Sequence, residues 1–266
     1  MSDARDGAWY ARVLLSARCK PTEAQFDKFA ESLKSIPRPF LDVLVDQGIY
    51  AYIMRPNQMY GDASPEVRAA AGIADIPAAG LFVVRERTAY LAELGRMCVV
   101  HELGGHGVDV ALGGVNFFSV RDPIILASLA RGESMNVYMA SAPDEYWAES
   151  VRAYTDTPNE GIFRAAWQPT SRERFESVSP RMAAYITEIE AALAQQLGRG
   201  QGIDAARVLE TARGATASQD VTLERALEVE VIPEDVEADI DMRRPGARDA
   251  ELGEDEREIQ TSELGR

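Results

Sequence analysis

With 266 residues, 46% of them hydrophobic, the chain is long enough for one substantial domain with appendages, and its composition is that of an ordinary folded protein. Its net charge of −15 argues against nucleic acid or an anionic membrane surface as a partner, because proteins that track phosphates carry the opposite sign. Residues 200–266 hold 18 acids against 8 bases, so most of that charge lies in the last quarter of the chain.

Residues 1–19 carry weak signals and are expected to form an N-terminal arm or short helix. They show no basic leader and no long apolar run, which points to a cytoplasmic protein or one secreted by a route independent of a signal peptide. Two cysteines, Cys19 and Cys98, do not make a disulfide framework, and Cys98 reads as a small buried apolar residue. Thr22 and Gln25 are spaced as a capping box, opening a helix whose apolar stripe is Phe26, Phe29 and Leu33. Pro37 and Pro39 end it, and a second helix over Phe40 to Val45 stops at Gly48. Ile49 to Met54 is a strand bounded by Gly48 and Pro56. Ser64-Pro65 marks a short helix within Ala63 to Gly72. Gly80 to Val84 is the next strand, and Thr88 to Leu91 either extends it through a turn or begins the next element.

Helical spacing then runs from about Ala92 to Leu112. Further helices are expected over Ile124 to Ala130 behind Asp122-Pro123, over Asp144 to Tyr154 with Asp144 as cap, and over Ser179-Pro180 to Leu197 with Ser179 as cap. Asp204 to Arg213 reads as a short helix. The rest of residues 198–266 reads as an acidic, largely disordered tail.

The chemistry concentrates in His101-Glu102-Leu103-Gly104-Gly105-His106, which holds both histidines of the chain. Two histidines on one helix face, with a glutamate after the first, bind zinc and place a general base beside it. The usual spacing is i, i+4, whereas these stand at i, i+5. On a regular α-helix that moves the two side chains from ~40° to ~140° apart around the axis, too far to share an ion. A π-turn absorbs one extra residue, and Gly104 and Gly105 have no Cβ to resist it, so a widened turn is expected at that point.

A third ligand is available downstream. Glu145 and Glu149 share one helix face, so that one can ligate zinc while the other accepts a hydrogen bond from an imidazole. Tyr138 precedes them in a loop, where a phenol could donate to a developing oxyanion.

Taken together these residues resemble the metallopeptidase domain of the anthrax lethal factor family. Its members are glutamate-type zincins (gluzincins) with a His-Glu-Phe/Leu-Gly-His-x-x-Asp motif, a tyrosine, and a Glu-aromatic-aromatic-Ala-Glu helix. The resemblance covers roughly residues 20–197, including the helix-then-strand opening at Ile36 to Gly48 and the strands around Gly80-Leu81-Phe82 and Thr88-Ala89-Tyr90. It implies an α+β zincin-like fold, a small mixed sheet packed on an active-site helix and a glutamate helix. It also implies one Zn2+ per chain on His101, His106 and Glu145. In the same way it makes Glu102 the catalytic base, Tyr138 the catalytic tyrosine and Glu149 the carboxylate that orients a ligand histidine. Asp109 matches the aspartate after the second histidine, without a role. The implied activity is zinc-dependent endopeptidase cleavage of a protein or peptide substrate, as a toxin or effector. The wider spacing is similar to the His-Glu-x-x-x-His motif of the dipeptidyl-peptidase III family, which is an active zinc peptidase.

Blander readings stand beside this one. The histidines could be structural residues of an apolar helix, Glu145 and Glu149 a solvated face pairing with Arg152, and Tyr138 a packing residue. A catalytically inactive zincin-like binding or scaffold module, favoured by the extra glycine, is the alternative function. A zinc-independent structural protein is a third.

Overall fold

A computed structural model describes residues 5–70, 78–158, 171–200 and 202–229, with side chains through 218. The capping box forms as its spacing predicts: Thr22 accepts from the Gln25 amide while Gln25 accepts from the Thr22 amide, opening helix α2 (Glu23–Leu33). Before it, α1 (Gly7–Leu14) buries Tyr10, Ala11 and Leu14 in the same core as α2. Leu15 pairs with Ala51 of β1 (Tyr50–Ile53), so the first residues cover one edge of the sheet. Helix α3 (Arg38–Asp46) ends at Gly48, whose φ of +64° is the left-handed turn a glycine makes without penalty.

The sheet has three strands in the order β1-β3-β2. β3 (Thr88–Leu91) is a strand of its own, parallel to β1 and antiparallel to β2 (Gly80–Val83). A 3-10 turn at Val84–Glu86 and Arg87 in the left-handed conformation join the two antiparallel strands. This leaves β2 as the outer strand beside the histidine helix, with which it packs. The helix around Ser64-Pro65 is split into α4 (Tyr60–Ala63) and α5 (Pro65–Ala69); the expectation for residues 71–72 lies outside the described residues.

The histidine helix starts later than its apolar spacing suggested. Residues 92–95 are not helical, and α6 (Arg96–Val99) leads through a π-helical stretch into α7 (Val108–Gly113). The glutamate helix, α9 (Pro143–Tyr154), packs along it. Asp144 does not cap α9: the cap position is Ala142, with no side-chain bond, and Asp144 lies in the first turn. Ser179 likewise stands at the cap of α11 (Pro180–Gly198) without capping it, because its hydroxyl is engaged with Tyr146 and Glu133. Helix α10 (Arg172–Val178) completes this side.

The C-terminal helix α12 (Ala205–Val229) is longer than the Asp204–Arg213 segment expected, and Val208, Leu209, Ala212 and Thr216 are buried. What joins it to the body is Asp122, the N-cap of α8 (Pro123–Ala130). Fully buried, this carboxylate accepts from the amides of Ile124 and Ile125, from the Tyr185 hydroxyl at 2.8 Å and from the Arg213 guanidinium at 2.8 and 2.9 Å. One side chain thus ties α8, α11 and α12. The acidic residues 230–266 lie outside the described residues.

Asp122→Ala removes a helix cap, about 0.5–2 kcal/mol, and strands a buried Tyr185 hydroxyl at about 1–3 kcal/mol. Urea unfolding is expected to register a loss of about 1.5–5 kcal/mol by adding those two contributions.

Candidate metal centre

The stretch Val100–Gly107 is a π-helix, eight residues long. It does not interrupt the helix: Val99, Val100, Gly107 and Val108 all keep right-handed helical φ and ψ, and Val108 donates to the Leu103 carbonyl five residues back. The widening therefore spreads over the whole motif rather than over Gly104-Gly105 alone.

The glycines matter for a reason the spacing did not disclose. A Cβ on Gly105 would stand 2.6 Å from both Cα and Cβ of Ala148 on α9, whereas one on Gly104 would meet the Ile36 and Val100 side chains at an ordinary 3.4 and 3.5 Å. Gly105 is thus where the glutamate helix touches the histidine helix backbone to backbone. Next to this contact the Trp147 indole N–H donates to the Gly105 carbonyl at 3.0 Å, fully buried.

The widened helix turns both imidazoles toward α9. Their centroids are 4.8 Å apart and nearly perpendicular. Glu145 Oε2 lies 3.2 Å from His101 Nε2 and 3.7 Å from His106 Nε2, and one donor atom from each of the three residues falls within 4.8 Å of the others. Tetrahedral ligands with bonds of ~2.0–2.1 Å stand about 3.4 Å apart, so two edges of the ligand triangle have the size a zinc ion needs. Glu145 Oε2 forms no well-aligned hydrogen bond despite its two nitrogen neighbours, and His106 Nδ1 has no hydrogen-bond partner. The Glu145 oxygen and the two Nε2 atoms, gathered in this way under partial burial, fit a divalent cation.

Glu149, 1% exposed, sits behind His101 and accepts from its Nδ1 at 2.9 Å. That bond fixes the tautomer so that Nε2 points into the site. Arg152, also buried, holds the other Glu149 oxygen at 3.1 Å. Burial alone would raise the Glu149 pKa, but the His101 hydrogen bond and the two positive neighbours hold it below the usual range. Glu145 is lowered in the same manner, burial being outweighed by the adjacent His101 and His106 imidazoles. For His101 burial favours the neutral ring, yet Glu145 and Glu149 together push its pKa up to about 10. Two carboxylates around one imidazole call for positive charge at this place, from a proton or from a cation.

Glu102 is 6% exposed, and its pKa is raised by burial against the opposing pull of the two imidazoles. It lies beneath the start of β2, where a Cβ on Gly80 would come within 2.5 Å of Glu102 Cγ and 2.8 Å of Cys98 Sγ. The absent side chain lets the strand pass directly over the carboxylate. A cavity of about 220 Å³ opens here, bounded by Ala79, Gly80, Met97, Cys98, Glu102 and Tyr138. Cys98 is buried, as expected.

Tyr138 belongs to a tight turn pinned by Asn136, and its ring lies 5.9 Å from that of His101. Burial and then the Glu145 charge raise its pKa, so the phenol keeps its proton. On the other flank Phe117 lies 5.4 Å from the His106 ring. Asp109 explains that placement: fully buried, it accepts from the Ser119 amide at 2.9 Å and hydroxyl at 2.5 Å, anchoring the loop that carries Phe117 and Phe118. Burial raises its pKa to about 7, against those hydrogen bonds.

The structure therefore brings His101, Glu102, His106, Tyr138, Glu145 and Glu149 together around one point. Arg152 was read only as a surface partner and is instead buried. Trp147 reads in the sequence only as part of the apolar side of its helix and Gly80 only as a strand start, and Phe117 carries no signal. Only the Glu149–Arg152 i, i+3 spacing was a signal for any of them.

No protein-family model and no curated protein matches the sequence. Among solved structures, the Pro-Pro endopeptidase PPEP-2 from Paenibacillus alvei is similar at 15% identity and a TM-score of 0.46, over 68% of this chain and 99% of that one.

The two neighbouring glycines separate by substitution. Gly105→Ala drives a methyl into the α9 backbone and is expected to cost about 1–3 kcal/mol. Gly104→Ala gains helix propensity and is expected to be neutral or stabilising by up to about 1 kcal/mol. Thermal unfolding of both variants checks the contrast.

Proposed function

We propose that this chain is a zinc-dependent endopeptidase acting on a protein or peptide substrate. The observation that supports it is the convergence of His101 Nε2, His106 Nε2 and a Glu145 oxygen beside a buried, partnerless Glu102 oxygen. Three protein ligands with an acid-base carboxylate next to them are the donor set of a hydrolytic zinc site, in which one position stays open. A toxin or effector role rests on the lethal factor resemblance alone.

His101, His106 and Glu145 would hold the ion, which when bound supplies Lewis acidity toward water and the scissile carbonyl. Glu102, its proton affinity raised by burial, takes the proton of the attacking water and passes it to the departing amine. The Tyr138 hydroxyl, kept protonated by its surroundings, donates to the oxyanion that develops on the carbonyl. Glu149, braced by Arg152, keeps the His101 ring oriented. Gly80 lets β2 pass close over Glu102 without a side chain between them.

Metal analysis of the purified chain is expected to find one zinc per protein. His106→Ala and Glu145→Ala should lose it. Glu102→Gln should retain it, while cleavage of an unfolded protein substrate falls by at least 10²–10⁴-fold. Tyr138→Phe should lower kcat by about 10²–10³-fold with KM little changed. Zinc bound in full by a chain that cuts no peptide library would favour the inactive binding module instead. A wild-type chain without zinc, purified where zinc is supplied, would overturn both.

A further inference from the structure

We propose that Trp147 is a positioning residue: its indole N–H latches the widened turn at Gly105, and this keeps His101 and His106 facing the same point. The inference rests on the metal reading above for its purpose, and on geometry that stands without the metal for its existence.

A π-helix is a rare choice for a backbone, found mostly as single turns, since every residue in it could instead join an α-helical ladder. Here the α-helical alternative would send the imidazoles ~140° apart. Something specific must favour the wide form over eight residues. The glycines permit it but do not select it, because a chain without Cβ atoms is equally free to adopt the narrow one.

Two contacts select it, and both come from adjacent residues of α9. Ala148 lies against Gly105 so closely that no side chain fits between them. Trp147 donates to the Gly105 carbonyl in a fully buried setting. The Gly105 carbonyl also accepts from the Val108 amide, so the indole is its second donor, and this added buried bond favours whichever helical form presents the carbonyl to the indole.

The latch also sits between the two functional carboxylates of its own helix. Glu145 and Glu149 flank Trp147 at two residues on either side. A bond at Trp147 therefore registers the Glu145 oxygen against His101 and His106, and the Glu149 oxygen against His101 Nδ1, in one step. The indole is itself held edge-to-face by Phe118 at 4.9 Å, on the loop that Asp109 anchors.

The test compares Trp147→Phe, which removes the N–H and keeps most of the ring, with Tyr185→Phe, which deletes a buried hydrogen bond to Asp122 on another part of the fold. Hydrogen exchange on the metal-free full-length chain is read for the amides of residues 102–108. In Trp147→Phe these are expected to exchange at least 10-fold faster than in Tyr185→Phe, after correction for each variant's global stability. Zinc affinity is expected to fall 10–100-fold in Trp147→Phe alone, the range for groups that orient metal ligands. The cobalt-substituted chain should show a shifted visible spectrum in that variant only. Equal protection of residues 102–108 in both variants would overturn the latch, as would a Trp147→Phe chain with wild-type zinc affinity and cobalt spectrum. Should Trp147→Phe fail to fold, Trp147→His, which keeps a ring N–H, is expected to fold and restore protection; a His variant no better than Phe also overturns it. A wild-type chain that binds no metal ends the peptidase reading, while the exchange comparison still decides the latch.

Discussion

Everything in the candidate centre depends on how closely α9 approaches the histidine helix. The approach is set by one missing side chain: at Gly105 the distance to Ala148 leaves no room for a methyl. Because Glu145 and Glu149 lie within one turn of that contact, their carboxylates are delivered to the imidazoles at 3.2 and 2.9 Å. Were α9 displaced outward by the width of a methyl, neither separation would survive. Helix packing is more often separated by whole side chains, at 8–10 Å between axes. Backbone contact makes the registration between the two ligand-bearing elements stiff.

The same closeness creates an electrostatic problem. Glu102, Glu145 and Glu149 are crowded into a region where water is scarce, and each buried anion carries a desolvation cost of several kcal/mol unless it is paired. Arg152 pairs with Glu149, and His101 stands between Glu149 and Glu145. Glu102 has no such partner on one oxygen, and its pKa is displaced upward rather than downward. The three carboxylates thus separate by environment: Glu145 and Glu149 are held ionised beside His101, and Glu102 has its affinity for a proton raised. Two kinds of role from one residue type is what acid-base hydrolysis requires.

Much of this was legible in the sequence. Period and capping located α2, α3, β1, β2, α8, α9 and α11, while β3 stayed open between two readings, and the i, i+4 pair Glu145/Glu149 announced its face. Asp144 misled because the helix begins one residue earlier, at Pro143, and Ser179 because its hydroxyl is engaged by Tyr146 and Glu133, both distant in the chain. Arg152 was unreadable for a related cause. A charged residue on a helix declares its spacing but not its burial, and burial here comes from elements packed around it. Tyr138 was visible as a residue type at a distance from Glu145, but its approach to His101 depends on a turn that Asn136 holds. Asp109 had a position and no role until the Ser119 loop appeared beneath His106.

The extra glycine looked like a defect because spacing along the chain was taken as a proxy for direction in space. Direction depends on the twist per residue, and twist is a property the environment can change. Over Val100–Gly107 the helix unwinds enough for i, i+5 to do what i, i+4 does in a regular turn, and the two rings meet at 4.8 Å. The glycine that lengthens the motif is also the one that admits α9. Gly105 thus adds a residue between the two histidines, removes the side chain that would keep Glu145 away, and exposes the carbonyl that Trp147 grips. An insertion of any larger residue at that position would have lengthened the spacing and blocked the correction together.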